Sequence, residues 1–221
     1  MTRDVIQDVI VAAAAAWGAG TGIALPRLAR RFTGATATGR RLPQGAGAAG
    51  SAVLSALVCV ALALTNGARP ELAAWLLLVP PAMLLTRIDL AVRRLPDVLT
   101  LPLGTGTAAA LGVVALVPGH EGSWTRALLG GVVLGAAYFV LLLINPSGLG
   151  FGDVKLAPTL GLALGWYGWP VLFAGTFAGF LLGAITGLIL LAAGRANRKT
   201  PIPFGPFMLL GALGGVLLGS G

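Results

Sequence analysis

Seven of the 221 residues are acidic, and three of these, Asp89, Asp97 and Asp153, stand at the edges of apolar runs long enough to cross a bilayer. An ionisable side chain at or near that depth is costly, which makes it a functional candidate by default. Asp153 lies in the stretch Ser147-Gly148-Leu149-Gly150-Phe151-Gly152-Asp153-Val154-Lys155. Lacking Cβ atoms, Gly148, Gly150 and Gly152 can take positive φ and let another backbone approach closely. That suits a carboxylate held at a helix end while a substrate chain lies against it. The plainer reading is a glycine-rich turn with an aspartate at a helix N-terminus.

Asp89 and Asp97 belong to Thr86-Arg87-Ile88-Asp89-Leu90-Ala91-Val92-Arg93-Arg94-Leu95-Pro96-Asp97-Val98-Leu99-Thr100-Leu101-Pro102. After Pro96, Asp97 reads as the N-cap of the next helix. Asp89 has no such role, because an aspartate at a helix C-terminus opposes the macrodipole. Pairing with Arg93, four residues on, is worth only about 0.3–0.5 kcal/mol if exposed. Two aspartates on one membrane face can do what an aspartic protease does. About 3 Å apart they cannot both ionise, so the pair shares one proton. One carboxylate takes a proton from water while the protonated one polarises the scissile carbonyl.

Rival mechanisms are short of residues. His120 is the single histidine; beside Glu121 in a loop it reads as solvated, and it leaves little room for a His-based triad or a His-rich metal site. The single cysteine, Cys59, excludes an intrachain disulfide and a multi-cysteine zinc site, and reads as a small buried hydrophobe. A serine nucleophile would need a base, and Lys155 and Lys199 are the only lysines. The alternatives from other classes are a small transporter with an aspartate proton relay and a non-catalytic subunit of a pilus or secretion assembly. A relay calls for acids near the midplane, whereas these sit at a span boundary.

The elements that must position these acids are membrane helices. Charged residues make up 10% of the chain against roughly 25% in an ordinary soluble domain, and the mean hydropathy is +0.91. The short alternating segments of a β-barrel are absent. The fold class is therefore all-α, a polytopic membrane protein of about eight transmembrane helices in a single domain over 1–221. The spans are expected over 5–26, 48–66, 71–88, 98–117, 125–144, 154–168, 170–193 and 203–220. Asp4 and Asp8 spoil a signal peptide's basic region, so the first segment reads as a span. A net charge of +8 without basic stripes interleaved with aromatics gives no sign of nucleic-acid binding. The basic residues instead encode orientation. With both termini extracytoplasmic, twelve of the fifteen fall in inner loops, leaving Arg3, Arg69 and Arg126 outside. Asp89, Asp97 and Asp153 then face the cytoplasm.

Small residues recur at helical spacing. Gly175, Gly179, Gly183 and Gly187 stripe the seventh span, and Gly211, Gly215 and Gly219 the eighth. Such stripes let backbones approach where lipid offers no hydrophobic drive, and intrachain packing is favoured over a dimer face. Trp124, Trp166, Tyr167 and Trp169 are expected to be interfacial anchors.

Asp89 with Leu95-Pro96-Asp97-x-Leu99-Thr100-Leu101-Pro102, then Gly150-Phe151-Gly152-Asp153-x-Lys155, resembles the type IV prepilin leader peptidases, membrane aspartic peptidases of the GxGD class. Pro203-Phe204-Gly205-Pro206-Phe207 is similar to the family's closing motif, so the matching blocks run over 86–207. The resemblance implies Asp89 and Asp153 as catalytic acids, with Gly150, Gly152, Pro96, Asp97 and Lys155 shaping the site; Lys155 would tune charge or anchor lipid. It also implies a bacterial inner-membrane enzyme with its active site facing the cytoplasm, cleaving after glycine. Its partners would be prepilin-like precursors of type IV pilus or type II secretion systems, together with the bilayer, and it would need no metal or organic cofactor. Many family members also methylate the new N-terminus and carry a cytoplasmic loop with two Cys-x-x-Cys pairs. Here residues 27–47 are short, basic and free of cysteine, so methyl transfer is not expected.

Overall fold

A computed structural model of the chain describes residues 2–33, 47–146, 148–195, 197, 200 and 202–221. Eight helices follow in order: α1 (Thr2–Thr33), α2 (Ala48–Asn66), α3 (Glu71–Val92), α4 (Asp97–Val114), α5 (Trp124–Ile144), α6 (Phe151–Tyr167), α7 (Trp169–Ala192) and α8 (Gly205–Gly219). Among the described residues there is no strand. The chain is a polytopic helical membrane protein, and its helices fall in two groups. Six are long and apolar enough to span a bilayer; α6, with 17 residues, and α8, with 15, are shorter. About eight spans were expected, the sixth of them short, and the shortness of α6 has a physical reason. Eleven residues of α6 are buried, so protein rather than lipid surrounds it and it need not match the bilayer's thickness.

Helix limits differ from the expected spans chiefly at the ends that carry charge. α1 continues past Pro26 to Thr33, placing Arg27, Arg30 and Arg31 on helix rather than in a loop; arginine, leucine and alanine are all good helix formers. Residues 34–46, most of the short basic loop, lie outside the described residues. α3 runs on to Val92, so Asp89 sits on its last turn instead of beyond it.

The helices alternate in direction. Arg87 near the end of α3 donates to Ser51 at the start of α2, and Asp97 at the start of α4 meets Lys155 at the start of α6. At the opposite end, Gln7 of α1 donates to Ala63 near the end of α2 and Arg69 to Ser220 after α8. Hairpins α1–α2, α5–α6 and α7–α8 pack most closely, through glycine. A Cβ on Gly211 would lie 2.4 Å from the Gly175 carbonyl oxygen, and one on Gly161 2.3 Å from that of Gly130. The stripes on α7 and α8 are therefore used within the chain, as expected. α6 is the hub, touching α4, α5, α7 and α8. Residues such as Val132, Phe173, Phe177 and Leu188 point outward and are exposed, the surface a bilayer would cover.

The aromatic residues divide. Trp124 and Trp169 are partly exposed, but Trp166 is fully buried and Tyr167 hydrogen-bonds inside the bundle. Those two are core residues rather than anchors: Trp166 donates to a buried carboxylate, Glu71. His120 is half-buried, its ring 5.7 Å from that of Trp166. Cys59 is buried and free.

Candidate active site

Asp153 occupies the third position of α6, with Gly150 as N-cap. Its Oδ2 accepts the Gly150 N–H at 3.2 Å, so the helix's own N-terminus favours the carboxylate. The glycines act by space and not by unusual dihedrals. Gly150 has φ −74, and neither Gly148 nor Gly152 has a positive φ. A Cβ on Gly152 would lie 2.9 Å from Cβ of Leu95, and one on Gly150 3.1 Å from Asp153 Oδ2.

Asp89 solves the problem its position creates. It stands at the negative end of α3, but its Oδ2 accepts the N–H of Gly205, at 3.0 Å, from the N-terminus of α8. The positive end of a second helix thus offsets the dipole of the first. A Cβ on Gly205 would sit 2.9 Å from that same oxygen, so any larger residue there would have to push the carboxylate aside. Arg93 ends α3 in the left-handed region at φ 54, its N–H on the Asp89 carbonyl at 2.8 Å. The chain reverses there and turns Leu95 inward, between Gly152 and Gly205.

The two acids converge. Asp89 is 5% exposed and Asp153 7%, and the charge of Asp89 acts on Asp153. Neither makes a salt bridge within 4.0 Å among the described residues; Arg93 acts on Asp89 only through its field. Tyr138 of α5, also buried, lies near enough to Asp153 to sense its charge. An aromatic row, Tyr138–Phe180–Phe204 with centroids 5.5 and 5.1 Å apart, walls the site on the α7 side.

Asp97 is placed otherwise than expected. Pro96 is the N-cap of α4, at φ −71 and ψ 135, and Asp97 is the first helical residue with no capping bond from its side chain. Its carboxylate turns instead to Lys155 Nζ, at 2.5 Å, tying α4 to α6. Lys155 also lies over the Phe151 ring, 4.5 Å from its centroid. The sequence reading missed Tyr138 and the Gly205 N–H. The proline-phenylalanine-glycine run was visible as a motif, but a backbone donor has no side-chain signature.

Fold and site together define a class: helical membrane proteins that bring two buried aspartates, from the ends of different helices, to one end of a bundle. The model of the type IV leader peptidase family matches residues 72–190. The match covers more than half of the chain, which belongs to that family. Relatives named prepilin leader peptidase/N-methyltransferase include one from Aeromonas salmonicida, 36% identical over 159 residues, covering 72% of this chain and 53% of that protein. One from Pseudomonas aeruginosa is 37% identical over 142 residues, with 62% and 46% covered. A third, from Burkholderia pseudomallei, is 30% identical over 175 residues, with 75% and 52% covered. The chain spans about half the length of the curated relatives it matches. No solved structure matches it.

Proposed function

We propose that this chain is an aspartic endopeptidase that cleaves the N-terminal leader from prepilin-like precursors, on the cytoplasmic side of the membrane and after glycine. One observation carries the reading. Asp89 and Asp153 come from different helices, are both buried, lie near enough for the charge of Asp89 to act on Asp153, and are each held through Oδ2 by a backbone N–H. Each carboxylate thus keeps lone pairs for chemistry, and no side-chain cation fixes its charge.

Two carboxylates so placed share one proton. The ionised partner takes a proton from a water as its oxygen attacks the scissile carbonyl carbon, and the protonated partner donates a hydrogen bond to the carbonyl oxygen. Collapse of the tetrahedral intermediate breaks the C–N bond, with a carboxyl proton passing to the leaving amine. The carboxylates are left as they began. The concentration of basic residues at the aspartate end supports a cytoplasmic placement. Residues 27–47 carry no cysteine for a zinc-bearing loop, which supports a peptidase that does not methylate its product.

The test is the purified chain in liposomes, given S-adenosylmethionine and a precursor with a basic leader, a glycine at the junction and an apolar helix. The leader should be released and no methyl group transferred. Full cleavage by Asp153→Asn would overturn the aspartic mechanism; N-methylated product would overturn only the restriction to peptidase activity.

A further inference from the structure

A groove of about 320 Å³ runs along the bundle between α2, α3 and α8, floored by α4 and α6. Its walls are apolar, with Val58, Met83, Leu160 and Leu213 among them, and no charged side chain lines it. One end reaches the neighbourhood of Asp89. Leu90 follows Asp89, and Pro206 follows Gly205, whose N–H holds the Asp89 carboxylate. From Leu90 the α3 wall continues to Trp75, a length of ~22 Å at 1.5 Å per residue. That is most of a hydrocarbon core roughly 30 Å thick.

We propose that this groove is the docking site for the apolar transmembrane helix of the substrate, which lies antiparallel to α3 with its N-terminal end at Asp89. The inference rests on the peptidase reading above and adds where, and in which direction, the substrate helix sits. A whole helix is ~10–12 Å across, too wide for this volume, so the groove takes a single stripe of its side chains, as helix-in-groove recognition does. The remaining surface of that helix stays in lipid. An uncharged wall whose end residues, Leu90 and Pro206, adjoin Asp89 and the Gly205 that holds it suits an apolar segment starting directly after the scissile bond. A lipid acyl chain would fill the same walls but would have no fixed register against them.

Register is therefore the test. In Asp153→Asn protein, which keeps the precursor uncleaved, and with Cys59→Ala to remove the native thiol, single cysteines are placed at Leu90, Val79 and, as a control on the lipid face of α5, Val133. Precursors carry single cysteines along the apolar helix. Leu90→Cys should cross-link to positions just after the junction. Val79→Cys should cross-link about eleven residues further along, the offset of the two sites on antiparallel helices of equal rise. Val133→Cys should give none. As a second readout, Ala82→Trp should reduce the preference for full-length precursor over a peptide truncated after the junction by at least tenfold. Cross-links without register, equal yield at Val133, or an unchanged preference would each overturn the groove proposal and leave it as a lipid-filled surface. If Asp153-containing protein fails to cleave the precursor at all, the peptidase reading fails first, and the groove proposal with it.

Discussion

At one end of the bundle Asp89 and Asp153 are buried on separate helices, with backbone N–H groups as their hydrogen-bond partners. At the other, Glu71 is buried within one knit polar network. Glu71 Oε1 accepts from the Glu121 N–H at 2.6 Å and from Trp166 Nε1 at 3.4 Å. Beside it, Tyr167 accepts from Trp75 Nε1 at 2.8 Å and donates to Asn66 at 3.0 Å. Arg69 pairs with Glu121 at 2.7 Å. By burial alone Glu71, at 0% exposure, would be the stronger candidate. The partners make the difference. At the Glu71 end a main-chain N–H and a buried indole share one carboxylate oxygen, and together with the neighbouring side-chain bonds they fasten the loop before α5 to α3. At the aspartate end each acid has a single backbone N–H on its Oδ2 and no side-chain donor among the described residues, which leaves the carboxylates lone pairs that the fold does not use.

The largest expected effects lie at the aspartate end. Asp89→Asn and Asp153→Asn should each lower kcat by roughly 10²–10⁴-fold or more, because an amide cannot gain and lose the proton. The double variant should be no worse than either single, as residues acting as a unit are non-additive. Initial rates on one precursor, at matched levels of inserted protein, measure this. Strictly multiplicative losses would mean that the two acids do not work as a pair. Next in size is Gly205→Ala, whose Cβ meets Asp89 Oδ2 at 2.9 Å and must displace it. Misplacement of about 1 Å can cost 10²-fold, so kcat should fall by about 10–100-fold with insertion unchanged. Activity close to wild type would show that the contact between α8 and Asp89 is not needed for chemistry.

The Glu71 end should respond in the opposite currency. Glu71→Leu leaves the Glu121 N–H and Trp166 Nε1 without their acceptor, at a cost of roughly 1–3 kcal/mol. A lower Tm in detergent, with unchanged kcat per folded molecule, is expected. Loss of cleavage at full stability would break the division of labour between the two ends.

What the sequence disclosed follows from which physical signals are local. Apolar runs with short basic loops located all eight helices, since hydropathy acts over twenty residues at a time. That Asp89, Asp97 and Asp153 lie at one end of the bundle was anticipated from their place at span ends, while the choice of Asp89 with Asp153 came from the resemblance of their motifs. Trp166 was misread, because a tryptophan near a span boundary looks alike whether it meets lipid headgroups or a buried glutamate; only its hydrogen bond to Glu71 decides. Glu71, in the first turn of a helix after Pro70, carries the pattern of an ordinary exposed helix start. The Gly205 donor is a main-chain atom, available in any residue but proline, and its partner lies 116 positions away. Long-range pairing of that kind leaves no local trace.

The smallest expected effect concerns the third aspartate, and it tests where the site ends. Asp97 opens α4 just after the turn that follows Asp89 and, by sequence, competes with it for the catalytic role. In the fold its carboxylate is 55% exposed and bound to Lys155, itself 25% exposed. An ion pair so open to solvent contributes about 0–1 kcal/mol. It joins the first turns of α4 and α6, so its loss would loosen the mounting of Asp153 without removing a reacting group. Asp97→Asn should therefore change kcat/KM by less than about tenfold, the equivalent of ~1.4 kcal/mol. Lys155→Met should have the same effect, and the double variant no more, since each single change already breaks the pair. If Asp97→Asn were dead while Asp89→Asn turned over normally, the working pair would be Asp97 with Asp153, and the hydrogen bond from Gly205 to Asp89 would be structural only. Equal, modest losses from Asp97→Asn and Lys155→Met would instead place the boundary of the chemistry between Leu95 and Asp97.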